Sequence, residues 1–270
     1  MNYQILCEQV CTLAKNTGKF LKQEVSQIQS KDIQVKGLHD FVTYVDKSAE
    51  EKIVSELMKL IPDAGFIAEE NTVSIKGEEY NWIIDPLDGT TNFIHGIPCY
   101  AISIALMKNN IIVVGVVYEI NLDECFYAWE GGAAYLNGKQ IFVSEKKNIA
   151  DSLIATGFPY YDYSRLDEYM NIFIYFLKNS HGVRRLGSAV VDLVYVACGR
   201  FEGFYEYGLR PWDVAAGAFI VQKAGGTVYD FSGQSNYLFG KEIVASNNLI
   251  SEDFNLKIQS FFKNKDLLKT

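Results

Sequence analysis

One segment constrains this chain more than any other: Trp82-Ile83-Ile84-Asp85-Pro86-Leu87-Asp88-Gly89-Thr90-Thr91-Asn92. Its first residues read as a short buried strand, and that strand ends on two carboxylates three residues apart. Pro86 fixes one φ between them, and Gly89 permits a tight turn directly after. Such a turn can aim both carboxylates and the Leu87 carbonyl at one point. It can also leave the Gly89 and Thr90 amides free to hold an anion at the start of a helix. Hard oxygen ligands of this kind suit Mg²⁺, which prefers carboxylate, water and phosphate oxygens. The plainer alternative is a strand-end turn with solvated acids.

Two look-alike motifs fail on spacing. An EF-hand loop alternates its oxygen ligands and carries Gly at its sixth position, whereas here apolar Leu87 lies between the acids. Haloacid-dehalogenase-type phosphatases carry acids two apart, a nucleophile and a general acid, so the three-residue spacing disfavours that covalent mechanism. Further acids extend the set. Phe66-Ile67-Ala68-Glu69-Glu70-Asn71 again ends an apolar strand on carboxylates. Asp213, in Pro211-Trp212-Asp213-Val214, stands at a predicted helix start that its side chain could cap, and Asp46 opens another predicted helix in the same way.

The rest of the chain supplies the scaffold. Helical spacing covers residues 2–29 and Lys47–Leu60, with Pro62 after the second. Tyr100–Met107 and Ile111–Tyr118 read as a hairpin through Lys108-Asn109-Asn110. Cys125–Trp129 and, after an Asn137-Gly138 turn, Ile141–Val143 are predicted to extend that sheet. Beyond residue 150 the pattern alternates: helices over Asp167–Leu177, Ala189–Cys198, Val214–Ala224 and Ser251–Phe262, the last with Ser251 as N-cap, and extended segments over Val183–Leu186, Phe201–Tyr207, Thr227–Phe231 and Glu242–Ala245. The expected class is α+β, with residues 1–148 and 149–270 as two halves of one compact unit and no flexible break between them.

Composition excludes several classes. With 49% hydrophobic and 21% charged residues in 270, the chain is neither disordered nor fibrous. A net charge of −8 argues against a general nucleic-acid binder, so no direct nucleic-acid contact is expected. The longest apolar runs are too short for a membrane helix, and residues 1–20 do not read as a secretory leader. Five cysteines without a CxxC pair read as free thiols, and a cytoplasmic location is expected.

Taken together, Glu69-Glu70-Asn71, Asp85 to Asn92 and Trp212 to Gly217 resemble the inositol monophosphatase family of the fructose-1,6-bisphosphatase-like superfamily. Weaker echoes at Asp40–Thr43, Gly131–Gly138, Ala224–Gly226 and Glu242–Asn247 carry the resemblance over about residues 36–250. It implies a layered αβαβα sandwich. It also implies Mg²⁺-dependent hydrolysis of a phosphate monoester without a phosphoenzyme, sensitivity to Li⁺, and a homodimer. By motif match, Glu69, Asp85 and the Leu87 carbonyl would hold one Mg²⁺, Asp85, Asp88 and Asp213 a second, and a weaker third would sit near Glu69. Thr90 with Asp46 behind it, together with Glu69, would be catalytic. Asp88, Gly89, Thr90, Ser188, Ala189 and Glu206 would contact the substrate, with Glu206 bonding its ring hydroxyls.

The leading expectation is inositol-1-phosphate, a small phosphorylated polyol. Histidinol phosphate, fructose-1,6-bisphosphate and a 3′-phosphonucleotide are rival esters. A regulatory or scaffold protein on the same fold, such as one contacting transcription machinery, is the rival from another class. No catalytic role is expected of His39, His95 or His181, and Tyr160 and Tyr161 are candidates for the pocket border.

Overall fold

The computed structural model describes residues 1–25, 33–37, 40–73 and 75–262, with side chains for 1–25, 44–73 and 75–262. The predicted end of the first helix, residues 26–29, and His39 lie outside the described residues.

Helix α1 (Tyr3–Glu24) starts at Asn2, whose side chain accepts from the Gln4 and Ile5 amides. Its buried Leu6, Cys7, Val10, Ala14 and Leu21 form one stripe. A two-stranded ribbon, β1 (Ile33–Gly37) with β2 (Asp40–Thr43), leads to α2 (Tyr44–Leu60). Seven strands then form one sheet in chain order: β3 (Gly65–Ala68), β4 (Tyr80–Asp88), β5 (Ala101–Lys108), β6 (Ile111–Glu119), β7 (Glu124–Trp129), β8 (Ala134–Leu136) and β9 (Lys139–Gln140). The short helix α3 (Thr90–Ile94) follows β4. Only the β3–β4 pair in this sheet is parallel.

The second sheet contains β10 (Leu153–Thr156), β11 (Gly182–Arg184), β12 (Gly203–Tyr207), β13 (Thr227–Tyr229) and β14 (Glu242–Ser246), in the order β11-β10-β12-β14-β13. Helices α4 (Leu166–Asn179), α5 (Ala189–Ala197), α6 (Pro211–Lys223) and α7 (Ser251–Phe262) complete the chain. The layers run α1/α2, seven-stranded sheet, α5/α6, five-stranded sheet, α4/α7, the αβαβα sandwich that the resemblance implies. β5 and β6 are buried on both faces, which is why they read as continuous apolar runs and not as alternation. One apolar core joins both sheets through α5 and α6, and separate cores lie under α1/α2 and under α4/α7.

Three local expectations need correction. Ile141–Val143 is not a strand: Phe142 is exposed, and the Val143 amide crosses to the Ala224 carbonyl at the end of α6. Helix α6 begins at Pro211, which has no amide hydrogen to leave unbonded, so Asp213 lies at the third helical position and does not serve as N-cap. Ser251 is the first residue of α7; the Asn247 side chain accepts the Leu249 and Ile250 amides, while the Ser251 hydroxyl accepts from Thr227.

The middle layer depends on close approach of α5 and α6. A Cβ at Gly217 would sit 2.7 Å from the Leu193 Cβ and 2.9 Å from its Cδ1. Gly217→Ala sets a helix-propensity gain of roughly 1 kcal/mol against an overpacking cost of roughly 1–3 kcal/mol. A lower urea midpoint is expected; a midpoint raised by the full propensity gain would mean that the two helices have room to spare.

Candidate active site

The site is built by an irregularity in β4. Asp85 pairs with Ser103 of β5 and Asp88 with Ala101, so β4 takes three steps while β5 takes two. The extra residue is a bulge at Pro86-Leu87, where proline removes a ladder donor. In a regular strand, residues three apart face opposite sides. Here the bulge restores both acids to one face, the face on which α6 packs.

Helix α6 supplies the third acid. The Ser103 hydroxyl, opposite Asp85, donates to the Trp212 carbonyl at 3.0 Å and fixes the helix start against the sheet. Asp213 accepts the Arg210 amide at 2.7 Å as the third-position half of a capping box. Carboxylate oxygens of Asp85, Asp88 and Asp213 thereby lie within 4.8 Å of one another.

Each of these acids commits one oxygen to a protein donor. Asp85 accepts the Leu87 amide at 2.8 Å. Asp88 accepts the Ser188 hydroxyl at 2.6 Å and the Val190 amide at 2.8 Å. Ser188 is the N-cap of α5 but makes no cap bond of its own, so Asp88 caps that helix from another part of the chain. The Ser188 hydroxyl, expected to face substrate, is thus engaged by Asp88.

Around the cluster, Thr90 Oγ1 lies 3.1 Å from Asp46 and 2.9 Å from the Leu87 carbonyl. Asp46 is buried in the first turn of α2, one turn before buried Glu50. Glu50 accepts the Glu70 amide, the Thr72 amide and the Thr72 hydroxyl, and so shapes the loop that presents Glu69. Asn92 bridges the Cys99 and Leu186 carbonyls and ties the turn after Asp88 to the turn before Ser188. Gly89 has φ +93, and a Cβ there would meet the Cys99 carbonyl at 3.0 Å.

The acid cluster borders a cleft of about 420 Å³, within the range of small-molecule sites. Glu69, Asp85, Leu87, Asp88, Gly89, Thr90, Asp213, Ser188, Ala189 and Glu206 all line it. Asp46 lies behind Thr90, outside the lining. Tyr160 and Tyr161 do border the cleft, whereas His95 and His181 do not. Sequence reasoning missed Asp192 and Arg185, which line it too, and Glu50, which supports it. The available signals were an acid inside the apolar run of α5 and an acid on the buried stripe of α2.

The electrostatics are those of acids without enough cations. Burial, then Glu69, Asp88 and Asp213, hold the Asp85 carboxyl well above the usual range. Burial also raises Asp213, with Asp88 adding to it. Asp88 is pushed up to about 6 by burial, against the pull of Ser188 and Val190. Glu206 is pushed up to about 8 by burial, with Arg185 opposing. A divalent cation would relieve this repulsion, and the donor set is all hard oxygen, so the residues present fit Mg²⁺.

The comparisons agree with this geometry. The model of the inositol monophosphatase family matches residues 2–261. The chain is 39% identical over 239 residues to the inositol-1-monophosphatase of Mesorhizobium japonicum, covering 88% of this chain and 90% of that one. It is 41% identical over 239 residues to the protein named Nus factor SuhB of Pseudomonas aeruginosa, covering 87% and 88%. Among solved structures, the extragenic suppressor protein suhB of Bartonella henselae superposes with a TM-score of 0.90 at 37% identity, covering 94% of this chain and 98% of that one. The chain belongs to the inositol monophosphatase family.

Proposed function

We propose that this chain is a Mg²⁺-dependent phosphate monoester hydrolase whose substrate is inositol-1-phosphate. The observation that carries the reading is the partly buried cluster of Asp85, Asp88 and Asp213, which lines one cleft with Thr90, behind which its partner Asp46 lies. Asp85, Asp88 and Asp213 would hold one ion, and Glu69, Asp85 and the Leu87 carbonyl another. Such ions supply Lewis acidity at phosphoryl oxygens and lower the pKa of water. The protein contributes orientation and proton handling. Thr90 has one hydroxyl proton and two acceptors, Asp46 and the Leu87 carbonyl. When it donates to Asp46, its lone pairs accept the proton side of an attacking water, and Asp46 is placed to take charge through it. The backbone amides of Gly89 and Thr90, at the mouth of α3, are the donors for phosphoryl oxygens.

Glu206 also lines the cleft, is buried, and accepts no hydrogen bond among the described residues. Gly157 lies against it: a Cβ there would sit 2.1 Å from its carboxylate. An acceptor fixed in this way suits the hydroxyls of a polyol leaving group.

A role besides hydrolysis is the second reading, favoured by 41% identity to a relative named as a Nus factor. A partner that co-purifies equally with wild type and with an inactive Asp88→Asn protein would support it.

Asp88→Asn is expected to lower kcat by roughly a hundredfold or more, the several kcal/mol of a metal centre. In the metal-free protein the same change has an opposite sign. Asp88 titrates near 6 when folded and near 3.8 when unfolded, so folding prefers its protonated form. That preference is fully present below the unfolded value and is lost as pH rises through about 6. In EDTA, the melting temperature of Asp88→Asn relative to wild type should climb between those two values and level off above them. A pH-independent difference would contradict the raised acidity constant.

Glu206→Ala should lower kcat/KM for inositol-1-phosphate roughly ten- to hundredfold, the order of one charged hydrogen bond at about 1.5–3 kcal/mol. The loss on p-nitrophenyl phosphate should be at least tenfold smaller (roughly, on the same scale). Equal losses on both esters would remove Glu206 from substrate selection.

A further inference from the structure

Asp192 is a carboxylate with one oxygen that none of the described residues satisfies. It lies in the first turn of α5, within Ala189-Val190-Val191-Asp192-Leu193-Val194, and is 1% exposed. It is the only charged residue of that helix. Its Oδ1 is buried and has no hydrogen-bond partner among the described residues, although it belongs to a residue that lines the cleft. An unpaired buried carboxyl oxygen is destabilising, and native proteins seldom keep one without a use.

Several structural explanations fail. Helix capping does not account for it, because Asp88 takes the free Val190 amide and the Ser188 hydroxyl at this terminus. Arg185, the cation nearest in effect, donates to the Tyr160 hydroxyl, and among the described residues no ion pair to Asp192 is formed. Nor does Asp192 belong to the acid cluster that fits a cation, which contains Asp85, Asp88 and Asp213. Its electrostatic neighbours are instead Glu206 and Asp88, with Arg185 opposing them. Asp192 therefore shares one cleft with Asp88 and Glu206 and feels the charge of both.

We infer that Asp192 is a second specificity-determining residue, which with Glu206 receives hydroxyl donors of a polyol leaving group. The inference rests on the phosphatase reading of the cleft for its choice of ligand. Two separated acceptors match a ring or chain that carries several hydroxyls better than one that carries a single contact point. A cationic amine is the other group that two acids could attract. Arg185 disfavours it, because its guanidinium lines the same cleft and is felt by Asp88, Asp192 and Glu206 alike. A carboxyl group paired with hydroxyls also discriminates strongly, since a leaving group that lacks them leaves the buried acceptor unpaired again.

The test uses the full chain in three forms: wild type, Asp192→Ala and Asp192→Asn, the last keeping an acceptor of nearly the same shape. With Mg²⁺, Asp192→Ala should raise KM for inositol-1-phosphate roughly ten- to hundredfold, with a much smaller change in kcat. Its loss in kcat/KM on p-nitrophenyl phosphate should be smaller by roughly tenfold, and Asp192→Asn should recover most of the polyol activity. Without metal, NMR titration with free myo-inositol should show weaker binding to Asp192→Ala than to wild type by a similar factor. Equal losses on both esters, an effect confined to kcat, or unchanged inositol affinity would each overturn the assignment. A larger loss on histidinol phosphate than on inositol phosphate would overturn it in favour of a cationic leaving group. The two proposals fail separately. A wild type that binds inositol through Asp192 but releases no phosphate would remove the phosphatase reading alone. A wild type that hydrolyses inositol phosphate with no dependence on Asp192 would remove this inference alone.

Discussion

Acidic groups held close together in a partly buried place dominate this structure. Carboxylate oxygens of Asp85, Asp88 and Asp213 lie within 4.8 Å of one another, and Glu69 adds a fourth negative group beside Asp85. Nothing in a folding chain favours that arrangement by itself. It survives because each acid is tied to the backbone through one oxygen: Asp85 to Leu87, Asp88 to Val190, and Asp213 to Arg210. Those bonds fix the side chains and turn the remaining oxygens toward the cleft, where a divalent cation would lower the energy of the whole set.

The layers of the sandwich serve this cluster. β4 brings two acids and, through its bulge, puts them on one face. α6 brings the third and is held to the sheet by the Ser103–Trp212 bond. α5 is capped by Asp88, so the terminus that carries Ser188, Ala189 and Asp192 is positioned by the acid cluster. β12 closes the cleft with Glu206. A movement of α5 would therefore be felt at Asp88 and along the cleft that Asp192 lines. Close packing at Gly217 resists such movement.

Much of this was legible in the residues. The strand-end acids, Thr90, Asp46 and Glu206 were all singled out, and the structure brings them into or against one cleft. The long strands were plain because burial on both faces makes them uniformly apolar. What stayed hidden depends on tertiary contact. Pro86 signalled a turn, but only the pairing with β5 reveals a bulge that restores facing. Ile141–Val143 has strand composition, yet its backbone is drawn off to the end of α6. Asp213 has N-cap chemistry, but Pro211 takes the first helical position and leaves Asp213 at the third. Asp192 and Glu50 resembled ordinary helix acids, and their meaning comes only from being buried.

The central claim is that the acid cluster is protonated beyond its ordinary range until a cation arrives. Calorimetric titration of the metal-free chain with Mg²⁺ at pH 6, repeated in buffers of different ionisation enthalpy, counts the protons released on binding. Raised acidity constants at Asp85, Asp88 and Asp213 predict net proton release on binding. Binding with no proton release, or no binding of Mg²⁺ at all, would contradict it.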